Sequence, residues 1–135
     1  MIGFKYHMNN VAAAIGLGNL QTFDPHANDW IVEEYYKGLE GIPDLQLTPR
    51  QEGRVYYFFL ILVKRGRDAL FNKLYDNGCA CSLVNRGLDE YKVFQPFKYL
   101  LGVNQWRGEH IALPVHGGLT KTDVRKIVKT IRGGW

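Results

Sequence analysis

Cysteine is nearly absent from this chain of 135 residues, which carries only Cys79 and Cys81. A disulfide-stapled scaffold is therefore excluded. Long hydrophobic runs are missing as well. The longest, Val55–Val63, has nine residues, and a membrane-spanning helix needs ~20. No charged start followed by an apolar core opens the chain, because Met1–Ala14 carries polar residues throughout. No export signal is predicted, and reduced thiols in the cytoplasm are expected. Charge of one sign is not in great excess: 17 basic residues face 13 acidic ones, for a net +4. The basic groups at Lys64-Arg65-Gly66-Arg67 and along Lys121–Arg132 have no aromatic platform interleaved. They read as a strand-end turn and a solvated helix face rather than a nucleic-acid footprint.

Several catalytic signatures are also lacking. There is no Gly-x-Ser-x-Gly, no His-Glu-x-x-His and no Walker loop. Gly16-Leu17-Gly18 falls inside an amphipathic helix instead of after a strand, so it is not a dinucleotide fingerprint. His7, His26, His110 and His116 are not spaced to share a metal. Cys79 and Cys81 read as small buried residues that point the same way on a strand.

What is present suits one globular unit: 46% hydrophobic and 22% charged residues. Asn10 is placed to cap a helix with Val11, Ala14, Ile15 and Gly18 on one face. Its Ala and Gly content makes it thin, so close contact with a neighbour is expected. Asp24-Pro25 starts a second helix with Ile31, Tyr35 and Leu39 inward, ended by Gly41 and Pro43. Residues 42–50 read as a loop. Val55–Val63 is the strongest strand, apolar on both faces and so covered on both. Arg67–Asn77 is a helix with Leu70, Phe71 and Leu74 inward and Gly78 as its left-handed stop. Cys79–Val84 reads as a second strand, residues 85–104 as an irregular loop and His110–Val115 as a short extended piece. Thr120 and Asp123 form a capping box for a helix burying Val124, Ile127, Val128 and Ile131.

Several stretches together carry a family resemblance. Gly3-Phe-Lys-Tyr-His-Met-Asn-Asn-Val-Ala-Ala-Ala-Ile-Gly-Leu17, Tyr57–Val63 with Arg67–Gly78, Val84-Asn-Arg-Gly-Leu-Asp-Glu-Tyr91, and Leu113-Pro-Val-His-Gly-Gly-Leu-Thr120 with Asp123-Val124 match in order and rough spacing. The set resembles the DegT/StrS family, pyridoxal-phosphate (PLP) dependent aminotransferases of nucleotide-linked keto-sugars. The resemblance covers only the C-terminal third of such an enzyme. It implies an α+β fold, a small mostly antiparallel sheet with helices packed on it, like the small domain of fold-type I PLP enzymes. It implies a helical lead-in over residues 1–41 and the small domain over 42–135.

The family's Schiff-base lysine, the carboxylate on its pyridine nitrogen and its ring-stacking aromatic match nothing in these residues. The resemblance therefore assigns no catalytic residue and no cofactor held by this chain alone, with PLP implied for the complete enzyme. Lys5 and His7 fall in the segment that reaches a neighbouring subunit's cofactor phosphate, and both are phosphate donors. Asn85 and Arg86 fall in the loop near the nucleotide-sugar, where the guanidinium fork suits a diphosphate. The expected partners are a second copy or a complementing large-domain chain, with nucleotide-sugar as ligand. Two readings stay open: a piece of a sugar aminotransferase, inactive alone, and a binding or interaction module that kept the fold and lost the chemistry.

Overall fold

A computed structural model describes residues 8–84, 87, 90–94 and 100–135. Its elements run α1 (Asn10–Thr22), α2 (Asp29–Leu39), β1 (Leu45–Leu47), β2 (Phe58–Val63), α3 (Arg67–Asp76), a 3₁₀ turn (Lys92–Phe94), α4 (Leu101–Arg107), β3 (His110–Pro114) and α5 (Lys121–Arg132). The sheet has the order β1-β2-β3 and is antiparallel throughout. The fold is α+β, as expected.

Register sorts the side chains of the sheet. Phe59 lies opposite Leu113 and Ile61 opposite Ile111, while Leu45 and Leu47 oppose Val63 and Ile61. With a period of two, these share one face. That face meets α2 through Ile31, Tyr35 and Leu39, α3 through Leu70 and Leu74, and α5 through Val124, Ile127 and Ile131. The alternate residues Leu60, Leu62, His110 and Ala112 are buried too. Both faces of β2 are thus covered, which explains its unbroken apolar run.

Several expectations need correction. Residues 42–50 are not all loop, because Leu45–Leu47 forms β1. Three residues between Pro43 and Pro49 are too few to show alternation. Cys79–Val84 is not a strand. Only Ser82 pairs, exchanging both backbone bonds with Ala112 at 3.0 and 2.8 Å. Cys79 and Cys81 still face the same way, Cys79 in the core and Cys81 packed against it. Residues 101–104 belong to α4 rather than to an irregular loop.

Two helix starts also shift. Asn9, not Asn10, caps α1, its Oδ1 accepting the Ala12 N–H at 2.8 Å. Asp24 accepts the His26 N–H at 2.9 Å, but α2 begins only at Asp29. Between them Ala27 and Asp29 donate to carbonyls three residues back, so the chain winds in tight turns before the wider helix begins. No residue of α1 is buried: Val11 is 70% and Leu20 72% exposed. Its expected close neighbour is not among the described residues.

The remaining ends follow the sequence. Gly78 takes φ +68°, with Gly78 N–H on Tyr75 O at 2.8 Å and Cys79 N–H on Leu74 O at 2.9 Å. This paired pattern closes α3 as a left-handed glycine stop does. Thr120 and Asp123 cap α5 reciprocally.

Candidate functional site

The four residues assigned by resemblance, Lys5, His7, Asn85 and Arg86, lie outside the described residues. Their flanks are placed. The chain enters residues 85 and 86 from Val84, whose carbonyl lies 3.3 Å from His110 Nε2. His110 Nδ1 lies 2.9 Å from Trp106 O, and the Trp106 ring stacks on the imidazole at 5.4 Å. A neutral imidazole carries one N–H, so only one carbonyl receives a hydrogen bond unless the ring is protonated. This buried histidine ties α4, β3 and the entry to the loop together.

Next to that entry, where β2 begins and β3 ends, lies an open cleft of about 380 Å³. Tyr57, Cys81, Ser82, Pro114 and His116 are among its lining residues. Its size suits a small molecule. Tyr57 is 89% exposed and meets Phe58 edge-on at 5.8 Å. His116 Nδ1 accepts the Gly118 N–H at 3.2 Å. That bond leaves Nε2 to carry the proton and to donate elsewhere. Burial raises the Cys81 thiol above its ordinary range, with the neighbouring Cys79 adding to it, so Cys81 rests as a neutral thiol.

The sequence places Tyr57 on a strand and His116 among histidines not spaced to share a metal, and it does not join the two. The signal available was the unusual Leu113-Pro-Val-His-Gly-Gly stretch, where a strand ends in a proline and a glycine pair. Such an end projects side chains past the sheet.

The cleft does not make a complete PLP site. Among the described residues no lysine, arginine or carboxylate lines it. Among the described residues Lys37, Lys64, Lys92, Lys121, Lys126 and Lys129 are exposed. Lys73 is half-buried and donates to Gly134 O. A Schiff-base lysine needs shelter and a carboxylate opposite the ring nitrogen; the described residues of this cleft include neither a lysine nor a carboxylate. Nor do they bring three or more metal-ligating side chains together, and none of their helices is long and apolar enough to cross a membrane.

Comparison with known proteins places this geometry. GDP-perosamine synthase of Caulobacter vibrioides is 25% identical over 97% of this chain and 38% of its own length. The crystal structure of the sugar aminotransferase CalS13 from Micromonospora echinospora superposes with a TM-score of 0.90 at 30% identity, over 98% of this chain and 37% of that one. AtS13 from Actinomadura melliaura gives a TM-score of 0.87 at 34% identity, with 98% and 37% covered. The chain thus spans little more than a third of the length of the relatives it matches. The profile of the DegT/DnrJ/EryC1/StrS aminotransferase family matches residues 1–132, so the chain belongs to that family.

Proposed function

We propose that these residues supply the small-domain third of an aminotransferase acting on nucleotide-linked keto-sugars, and that they transfer no amino group by themselves. The observation that carries this reading is the fit over 98% of this chain to 37% of a sugar aminotransferase. The electron sink of such a reaction is PLP, which the remainder of the enzyme would bind. This third would close over the substrate, with the cleft of Tyr57, Ser82 and His116 as one wall. Arg86 and Asn85 would hold the diphosphate, and Lys5 and His7 would reach a neighbouring subunit's cofactor phosphate.

The exposed apolar side chains of α1 support a partner, either a second copy or a complementing large-domain chain. The lead-in from the rest of the enzyme would be residues 1–41, with residues 42–135 as the small domain. α2, which falls within that lead-in, contributes Ile31, Tyr35 and Leu39 to the common core.

Amino transfer to a nucleotide keto-sugar should be measured for this chain alone and mixed with the large-domain portion of a family member. The expected outcome is none alone and measurable transfer in the mixture, weakened by Arg86→Ala. Transfer by the chain alone would contradict the reading. Transfer unchanged by Arg86→Ala would remove Arg86 from the site.

A further inference from the structure

The tail after α5 folds back on the molecule. Gly134, at φ +73°, turns the chain so that Trp135 lies against the turn between β2 and α3. Its indole Nε1–H donates to Arg65 O at 2.8 Å. The ring lies over Gly66, where an added Cβ would fall 2.9 Å from the indole Cδ1 and Nε1. Gly66 takes φ +72°, a conformation that also favours glycine.

The walls of this notch are held from several sides. Asp44, itself at φ +60°, accepts the Lys64 N–H on its carbonyl at 2.8 Å and pairs with Arg65 at 2.7 Å. Beside the indole runs a cavity of about 400 Å³ where the apolar Ile42, Pro43 and Ile131 stand with the charged Asp44, Arg65 and Arg132.

An indole asks three things of a site: apolar walls for its rings, one acceptor for its single N–H, and close approach of a flat face. The notch offers all three, and none depends on the covalent link to Gly134. We propose that the Gly66 notch is an indole-recognition site, filled in cis by Trp135 and open to the tryptophan side chain of another peptide once the tail is displaced. A tail tethered by so short a linker acts at an effective concentration on the order of millimolar. A competitor in trans must reach that range.

The probe is N-acetyl-tryptophanamide at millimolar concentration, with thermal unfolding of the full chain as readout. Trp135→Ala should melt lower than wild type. The probe should raise its midpoint by about 2–4 °C, leave wild type unmoved, and lose its effect in Trp135→Ala with Gly66→Ala. A rise of equal size in all three proteins, or none in Trp135→Ala, would overturn the proposal.

Should Trp135→Ala not fold, hydrogen exchange in wild type answers instead. The Trp135 Nε1–H, identified by its loss in Trp135→Phe, should exchange at least about tenfold more slowly than in a free peptide, as a site opening less than a tenth of the time requires. Exchange at the free rate would overturn the proposal. So would a dimer of wild type that Trp135→Ala dissolves, since the notch would then be filled from a second copy.

Discussion

Asp123 shows how much one side chain can do at a helix start. Its carboxylate accepts from the Thr120 hydroxyl at 2.6 Å and the Thr120 N–H at 2.8 Å. The hydroxyl bond first, then the backbone bond, hold its pKa below the ordinary 3.8. The charged form is therefore the one the fold prefers. A carboxyl lowered on folding contributes stability above its unfolded pKa, and this is lost as pH falls through the folded value. Asp123→Asn should thus melt below wild type at neutral pH, with the difference shrinking as pH drops below about 4. A gap that stays constant from neutral pH to strong acid would mean that the charge is not what matters. Tyr35 is a contrasting case. Burial first, and then Cys79, raises its phenol far above the ordinary range. Its hydroxyl donates to Pro114 O at 3.0 Å and stays protonated.

At the scale of elements, α2 and α5 approach so closely that Gly38 has no room for a side chain. An added Cβ would lie 2.7 and 2.9 Å from the two methyls of Val128. Arg132 Nε donates to Gly38 O at 2.6 Å across the same contact, satisfying a carbonyl at the end of α2. A helical Gly→Ala change gains about 1 kcal/mol in propensity, while overfilling a close contact costs about 1–3 kcal/mol. Val128 is β-branched and stiff in a helix, so the steric cost should win. Gly38→Ala should lower stability in urea unfolding, and Val128→Ala in the same chain should recover part of the loss. Equal or higher stability of Gly38→Ala alone would show that the helices part easily.

Elements with strong local chemistry were legible from sequence. Thr120 with Asp123, Gly78, and the faces Ile31–Tyr35–Leu39 and Val124–Ile127–Ile131 all appear where periodicity and caps place them. What escaped is set by tertiary pairing. β1 exists because Leu45 and Leu47 find β2, and Cys79–Val84 is no strand because only Ser82 meets Ala112. Trp135 and Gly66 meet across 69 positions of sequence, which no local pattern records. The cleft residues Tyr57 and His116 are joined only by the β2–β3 pairing, Phe58 opposite Pro114, although the Pro-Val-His-Gly-Gly stretch marked the strand end, and the four residues named by resemblance lie outside the described residues.

α1 carries the consequence for the whole molecule. Val11, Ile15, Leu17 and Leu20, with Phe23 just past its end, are all more than half exposed, more apolar surface than a lone soluble helix normally presents. If this surface is where a partner docks, light scattering at micromolar concentration should give a mass above one chain. Ile15→Glu with Leu20→Glu should return it to one chain. A single-chain mass for wild type would remove self-association from the account.

We propose that none of the lysines among these 135 residues serves as a Schiff-base lysine. The most direct measurement is trapping with borohydride in the presence of PLP, followed by mass mapping of every lysine. Sparse labelling scattered over exposed lysines, with no defined aldimine band, is the predicted result. One lysine labelled stoichiometrically, together with such a band, would contradict it.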